Sequence, residues 1–154
     1  MKTAILVPFD GSKNAVGALQ FAINLAKSLQ EKVVVLNVQP SFRTVHTKMF
    51  FDETAVREYQ EQLFEEMVSP AKELLQDAGV EYEFKLRTGD PKEQICKEVI
   101  ADNNAQTGCS TSVRMIVMGS RGMNPMLSGV LGSVSYGVIN SAVCPVTIVP
   151  LTCS

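Results

Sequence analysis

Glycine and serine residues are concentrated in residues 119–133, where they could bind an oxyanion. Gly119 and Gly122 follow a short apolar run, and after nine intervening residues Gly132 is followed by Ser133. Because glycine has no side chain, its backbone can approach an oxyanion closely and adopt positive φ angles. Free N–H groups at a helix start, with the helix dipole behind them, attract phosphate. The segment therefore predicts a phosphate site, although the same glycines could equally form a tight turn that only lets a helix pack on a sheet.

Two neighbouring residue types would strengthen a phosphate site. The hydroxyls of Ser133 and Ser135 can donate further hydrogen bonds, and Arg121 could add positive charge or point to solvent. The chain has no GxxxxGK[ST] sequence and no GxGxxG after its first apolar run, which excludes a P-loop and weakens a dinucleotide interpretation.

The residues that commonly carry catalysis form no recognisable set. The only histidine, His46, lies in a segment without clear periodicity, so we expect a surface residue rather than a general base. Ser133 lacks both a GxSxG elbow and a histidine partner, which argues against a serine nucleophile. The four cysteines show no CxxC spacing and are expected to be free thiols of a reducing compartment; they are Cys96, Cys109, Cys144 and Cys153.

Composition limits the class of protein. The chain has 154 residues, of which 45% are hydrophobic and 19% charged, which is typical of one globular domain. With 14 basic and 16 acidic residues and no basic run, a nucleic-acid partner is not expected. No stretch approaches the roughly 18 apolar residues of a membrane span, and the first apolar run is too short for a signal peptide. We therefore expect a single cytoplasmic domain over residues 1–154 with no membrane partner.

Short apolar runs alternate with longer amphipathic stretches along the chain. Residues 4–9, 33–38, 115–118 and 146–149 are predicted buried strands, and the alternating pattern of residues 80–86 predicts a strand at a sheet edge. Helices are predicted after Ser12, from Asp52 to Gly79, after Asp90 and over residues 132–142, with residues 41–51 as a loop. Pro70 should kink or split the second helix, because proline lacks an N–H and clashes with the preceding turn. Asp90 should cap the third helix, with Glu93 reaching back to complete a capping box.

This β-α-β-α-β-α-β-α-β order predicts an α/β protein with a mostly parallel sheet and helices on both faces. In such sheets ligands bind outside the carboxyl ends of the strands, where the strand order reverses. The candidate positions are therefore at the ends of the first, second and fourth strands, namely residues 8–10, Asn37 with Val38, and Met118 with Gly119.

The order of these motifs resembles the universal stress protein family. The spacing Gly-x2-Gly-x9-Gly-Ser from Gly119 to Ser133 is similar to the nucleotide-binding motif of that family's ATP-binding branch. Three further stretches are also similar to the family and follow in its order: residues 5–12, the Gly89-Asp90-Pro91 sequence, and Cys144-Pro145-Val146. The resemblance extends over nearly the whole chain.

The resemblance implies a doubly wound, five-stranded parallel sheet of order 3-2-1-4-5 that binds ATP, with magnesium carried near Asp10. Asp10 would bond to the nucleoside and Val38 would pack on adenine, although a turn residue and a core residue are the alternatives. The implied nucleotide-binding residues are Pro8, Phe9, Asp10, Val38, Met118, Gly119, Arg121, Gly122, Gly132, Ser133, Val134 and Ser135. The last strand would pair with its copy in a homodimer through Val146, Thr147, Ile148 and Val149.

The sequence departs from the family pattern in two places. Residues 103–113 are longer than usual and lead into Arg114 where an acidic residue is common, and residues 124–125 and 128–129 alter the loop between the glycines. Three functions remain: an ATP-binding stress-response module, a slow ATP hydrolase, or a module for another adenine-containing nucleotide. The missing general base favours a sensor over an efficient enzyme.

Overall fold

A five-stranded parallel sheet forms the centre of the protein. The computed structural model describes residues 3–41, 52–104, 112–120, 131–141 and 143–150. Its strands are β1 Thr3–Pro8, β2 Lys32–Gln39, β3 Tyr82–Thr88, β4 Ser112–Gly119 and β5 Val146–Val149. They lie in the order β3-β2-β1-β4-β5, and every neighbouring pair is parallel. The predicted strand order and the edge position of β3 are therefore confirmed.

Four helices within the described ranges cover the two faces of this sheet. They are α1 Lys13–Leu29, α2 Glu53–Gln76, α3 Pro91–Asn104 and α4 Ser133–Ser141. Alternate residues of the central strands pack against α1 and α2 on one face and against α3 and α4 on the other. Burial on both faces explains why β1 and β2 are apolar runs rather than alternating sequences.

The predicted N-caps of α1 and α3 are confirmed. The Ser12 side chain accepts a hydrogen bond from the Ala15 N–H at 3.1 Å, and the Asp90 carboxylate accepts one from the Glu93 N–H at 3.1 Å. The predicted return bond from Glu93 is wrong, because its carboxylate pairs with Lys97, one turn further on, at 2.6 Å. Each cap satisfies a backbone donor that the first helical turn leaves open.

The predicted split of the second helix at Pro70 is wrong, because α2 is continuous from Glu53 to Gln76. Proline removes one hydrogen bond from a helix interior and disfavours it locally. On either side of Pro70, however, Val68, Ala71 and Leu75 are fully or almost fully buried. Tertiary packing of this face therefore outweighs the local preference.

The unusual Arg114 at the start of β4 has a structural partner. Its guanidinium pairs with the carboxylate of Glu31, which also accepts a hydrogen bond from the Thr3 hydroxyl at 2.6 Å. The Glu31 side chain is only 3% exposed. A basic residue at position 114 therefore matches an acidic residue at the amino ends of β1 and β2, opposite the candidate ligand end. Residues 105–111 lie outside the described ranges.

Across the described ranges, no helix combines the length and the apolar character that crossing a membrane requires.

Candidate functional site

The carboxyl ends of β1 and β4 lie side by side at the centre of the sheet. The chain leaves β1 toward α1 on one face, whereas α4 packs on the opposite face. A crevice forms at such a switch point because the two connections diverge. We call this position the switch-point crevice; its two walls are the turn at residues 9–12 and residues 119–120 with the start of α4.

The turn after β1 is held by backbone hydrogen bonds. Phe9 is buried, and its N–H donates to the Leu36 carbonyl at 2.8 Å. One carboxylate oxygen of Asp10 accepts the Ser12 N–H at 3.0 Å, which fixes Asp10 at the mouth of the crevice. Between them, Gly11 has a φ of +82°, a conformation that glycine adopts without strain. In the described part of the chain, no group bonds to the second carboxylate oxygen of the half-exposed Asp10.

A buried chain of amides supports this turn from below. The Asn37 side chain donates to the Phe9 carbonyl at 2.9 Å, and the Gln39 side chain donates to the Asn37 oxygen at 3.2 Å. The same Gln39 nitrogen lies 3.0 Å from the Gln60 carbonyl in α2. Hydrogen bonds thus connect the ends of β1 and β2, where they are buried and therefore strong, and a partly buried one continues to α2.

Gly119 ends β4 in a position with no room for a side chain. A Cβ atom there would lie 2.8 Å from the Asn14 Cγ and 3.0 Å from the Asn14 carbonyl oxygen. Asn14 is buried in the first turn of α1, and its amide lies 3.4 Å from the Ser120 hydroxyl. Glycine is therefore required here for the close approach of β4 and α1, whether or not a ligand is bound.

Hydrogen bonds join the two ends of the glycine-rich segment, which are residues 119–120 at the end of β4 and residues 132–135 at the start of α4. The Gly132 N–H donates to the Ser120 carbonyl at 2.7 Å, and the Ser135 hydroxyl donates to the Gly119 carbonyl at 2.8 Å. The Ser120 N–H donates in turn to Val149 of β5 at 3.2 Å. These bonds hold the end of β4 against the start of α4. A phosphate site made of both parts, a strand end and a helix start, would need this arrangement.

The first turn of α4 presents backbone donors at the crevice. The Tyr136 N–H donates to the Gly132 carbonyl at 3.0 Å, so Gly132 stands at the helix cap. Among the described residues, no acceptor bonds to the N–H groups of Ser133, Val134 and Ser135. Three such donors at a positive helix end can receive an anion. The Ser135 hydroxyl is occupied by Gly119, whereas the side chain of Ser133 is exposed.

Three apolar members of the predicted site, Val38, Met118 and Val134, lie on one face of the sheet, whereas Phe9 packs on the other face. Val38 and Val134 are half-buried and pack against the cluster that contains the buried Met118. Pro8 is half-buried at the end of β1, in register with Leu36. The carboxyl ends of β1, β2 and β4 therefore each bring one predicted residue to the same end of the sheet.

Several predicted residues lie outside the described ranges. They are Arg121 and Gly122 of the glycine segment, the altered loop positions 124–125 and 128–129, His46, Cys109 and Cys153. Of the other two thiols, burial raises the pKa of Cys96 and of Cys144. The two cysteines are not joined by a disulfide. Within the described residues, no three His, Cys, Asp or Glu side chains are grouped as a metal site.

Two residues around the crevice, Asn14 and Ser120, were not predicted to take part in it, and they hold the walls in place by the contact given above. Asn37 was predicted only as part of the end of the second strand, and the structure adds its hydrogen bond to the Phe9 carbonyl. Asn14 and Ser120 are 106 residues apart and have no local signal.

The fold is that of a doubly wound parallel α/β protein, and the start of α4 lies at its switch point with N–H groups that have no acceptor among the described residues. Residues 1–150 match the universal stress protein family, and the chain belongs to that family. A putative universal stress protein of Staphylococcus aureus (strain USA300) is 32% identical over 146 residues, covering 94% of this chain and 82% of that relative.

Solved structures agree with this assignment. The hypothetical protein MJ0577 is 27% identical with a TM-score of 0.78, over 100% of this chain and 99% of the other. A universal stress protein from Archaeoglobus fulgidus, 23% identical over 96% of this chain and 97% of the other, shares the fold with a TM-score of 0.63.

Proposed function

We propose that this protein binds ATP in the switch-point crevice and acts as a nucleotide-dependent signalling module of the stress response. The observation that carries the proposal is the junction of the two glycine halves, where Gly132 and Ser135 bond to residues 119–120. In the proposal, the three N–H groups of the first turn of α4 that have no acceptor among the described residues face the crevice. A phosphate chain is the ligand group that such a helix start favours.

The phosphates are bound by the start of α4 in this proposal. Ser133, Val134 and Ser135 donate their backbone N–H groups, and the exposed Ser133 hydroxyl adds a donor. Gly122 and Arg121 complete the cradle from the other half of the motif, as the family resemblance implies. Ser135 acts mainly as a positioning residue, because its hydroxyl bonds to Gly119.

The nucleoside lies toward β1 and β2. The second oxygen of Asp10 accepts a ribose hydroxyl, and the half-buried Val38 packs on adenine. Pro8 and Phe9 contribute backbone, and Met118 lines the path of the ribose and phosphates. Magnesium fits this arrangement, since it commonly takes one or two protein carboxylates and completes its coordination with phosphates and water. Asp10 can supply one carboxylate at this edge, and the ion would neutralise phosphate charge.

Proteins of the same fold support an adenine ligand. The Archaeoglobus fulgidus protein is described in complex with dAMP, and universal stress proteins with AMP and with cAMP also share the fold at 19% identity. Another adenine-containing nucleotide is therefore the second candidate ligand for this crevice. A slow ATP hydrolase is the remaining alternative, and the candidate site residues include no histidine that could serve as a general base.

The proposed working form is a cytoplasmic homodimer of one domain per chain. β5 is an edge strand, and an apolar edge strand is normally covered. Pairing of Val146, Thr147, Ile148 and Val149 with the same strand of a second copy would cover it. Since Ser120 bonds to Val149, nucleotide occupancy and dimer pairing would act on neighbouring backbone.

The ligand is identified by mass spectrometry of small molecules released from freshly purified protein. ATP in near-equal amount to protein supports the proposal. Release of AMP or a cyclic nucleotide supports the second candidate instead. A ligand without adenine, or an empty protein that takes up no nucleotide, contradicts both.

Hydrolysis is tested separately with protein purified through successive columns. The proposal expects turnover far below the ordinary enzyme range of about 1–1000 per second. Turnover near 1 per second that stays with the protein through purification would establish the hydrolase instead.

A further inference from the structure

The two edges of the sheet differ in what lies beside them. β3 forms the edge opposite β5, and among the described residues it pairs only with β2. Beside it an open groove of about 630 Å³ lies between β3 and the first half of α2. We call it the β3 groove; it is lined chiefly by Glu58, Glu61, Phe64, Glu65, Phe84 and Leu86.

The backbone of β3 leaves hydrogen-bonding groups at this groove. The Val33 N–H donates to the Glu81 carbonyl at 2.9 Å, and the Gly89 N–H donates to the Gln39 carbonyl at 2.8 Å. Odd-numbered residues of β3 therefore bond to β2, and in a parallel strand the direction alternates from residue to residue. The N–H and C=O groups of even-numbered residues such as Phe84 point away from the sheet. They are available to an added strand.

The usual protection of an edge strand is weak here. β3 has no proline, and its seven residues pair with β2 without a bulge. Its charged side chains are held on the other face, where Lys85 and Arg87 pair with the buried Glu98 and Glu83 pairs with Lys32. Natural edges are commonly blocked by bulges, proline or projecting charges. As far as the described residues go, this edge is accessible for pairing.

The groove combines an aromatic floor with an acidic wall. Phe64, Phe84 and Leu86 supply apolar surface, and Glu58, Glu61 and Glu65 supply carboxylates from one face of α2. Like charges three and four residues apart on a helix repel one another. A cationic partner would relieve this repulsion.

Lys72 already shows how a basic side chain fits this surface. Its ammonium group lies 6.0 Å from the centre of the Phe84 ring and pairs with the Glu65 carboxylate. An extended segment with lysine or arginine at alternate positions could repeat this contact along the groove. The aliphatic stems would cover the apolar floor while the charged ends reach Glu58 and Glu61.

We propose that the β3 groove binds an extended basic segment of a partner protein, which adds to the sheet as a strand beside β3. The backbone of the partner pairs with the outward groups of Phe84 and Leu86, and its alternate basic side chains lie in the groove. Pairing of this kind takes affinity from the main chain and specificity from alternate side chains. The site is at the opposite edge from β5 and does not depend on nucleotide binding.

The test uses the full chain and a fluorescein-labelled peptide, as long as β3, that alternates lysine with threonine. Fluorescence anisotropy should show saturable binding that weakens as salt is raised. A peptide alternating glutamate with threonine should not bind. The double variant Glu58→Gln, Glu61→Gln should weaken binding by about fivefold per carboxylate, the upper range for exposed ion pairs. The matched control is Glu73→Gln, on the exposed surface of α2 outside the groove, which should bind like the parent.

Backbone methylation separates strand addition from simple charge attraction. N-methyl groups on alternate amides block one edge of the peptide, and the two possible sets block opposite edges. One set should abolish binding, and the other should leave the peptide affinity unchanged. Equal binding by both sets, an unchanged affinity of the glutamine variant, or no binding at millimolar peptide each overturns the proposal. Loss of self-association in Leu86→Asp would also overturn it, because the occupant would then be a second copy of this chain.

Discussion

Replacing Gly119 with alanine should destabilise the protein through a contact that is independent of any ligand. The added Cβ would lie 2.8 Å from Asn14 Cγ, 2.9 Å from its Oδ1 and 3.0 Å from its backbone oxygen. Asn14 is 5% exposed, so its side chain has little space to move aside. Overpacking of this kind costs about 1–3 kcal/mol. The free energy of unfolding, measured in urea, should fall by that amount.

The structure also predicts how this cost depends on Asn14. Asn14→Ala removes the side-chain atoms near the new Cβ but leaves the backbone oxygen at 3.0 Å. In that background Gly119→Ala should cost less, with a coupling of about 0.5–3 kcal/mol, but the cost should not disappear. A Gly119→Ala variant within about 0.5 kcal/mol of the parent would refute the reasoning, since that range is typical of unconstrained surface positions. If the costs of Gly119→Ala and Asn14→Ala add fully in the double variant, the Asn14 side chain is not what hinders the new Cβ.

Three further substitutions test other parts of the structure. Gly17→Ala should stabilise the protein by about 0.5–1 kcal/mol in urea unfolding, because among the described residues only the backbone of α1 itself lies within 4 Å of the new Cβ; a loss of stability would contradict the helix assignment. Asn37→Ala should cost about 1–3 kcal/mol, since it removes the donor to the buried Phe9 carbonyl, and a neutral result would show that this bond contributes nothing. Burial raises the pKa of Glu98, but hydrogen bonds and charges from Lys85 and Arg87 outweigh it, so the net pKa is lowered. The stability from Glu98 should therefore be present above the unfolded pKa of about 4.3 and lost as the pH falls through the lower folded value. Glu98→Gln should be less stable than the parent at pH 7 and approach it in acid; a constant difference in urea midpoint across pH would exclude this contribution.

The parallel sheet could be predicted because apolar runs and helical stretches alternate along the sequence, whereas its strand order was implied by the family resemblance. Apolar runs such as residues 4–9 and 33–38 indicate buried parallel strands, and helical stretches separate them. The alternating pattern before Gly89 identified β3 as an edge. The caps at Ser12 and Asp90 were also predictable, because N-cap chemistry depends on residues within one turn.

The features that could not be predicted depend on contacts between distant parts of the chain. Pro70 indicates a break when only its neighbours are considered, but burial of Val68 and Ala71 keeps α2 continuous. Gly119 was predicted for its ability to approach an oxyanion, and the structure adds a second reason in the contact with Asn14. The spacing of the motif gives the number of residues between Gly122 and Gly132, but it does not predict that Gly132 bonds to Ser120.

Equilibrium dialysis of the purified protein against ATP with magnesium tests the central claim most directly. GTP serves as the matched ligand, and Gly132→Val, with its unfolding midpoint measured in parallel, serves as the matched variant. We predict saturable binding of one ATP per chain, weaker binding of GTP, and loss of ATP binding in a folded Gly132→Val protein. No binding of ATP at millimolar concentration, or equal binding by the folded variant, would contradict the proposed site.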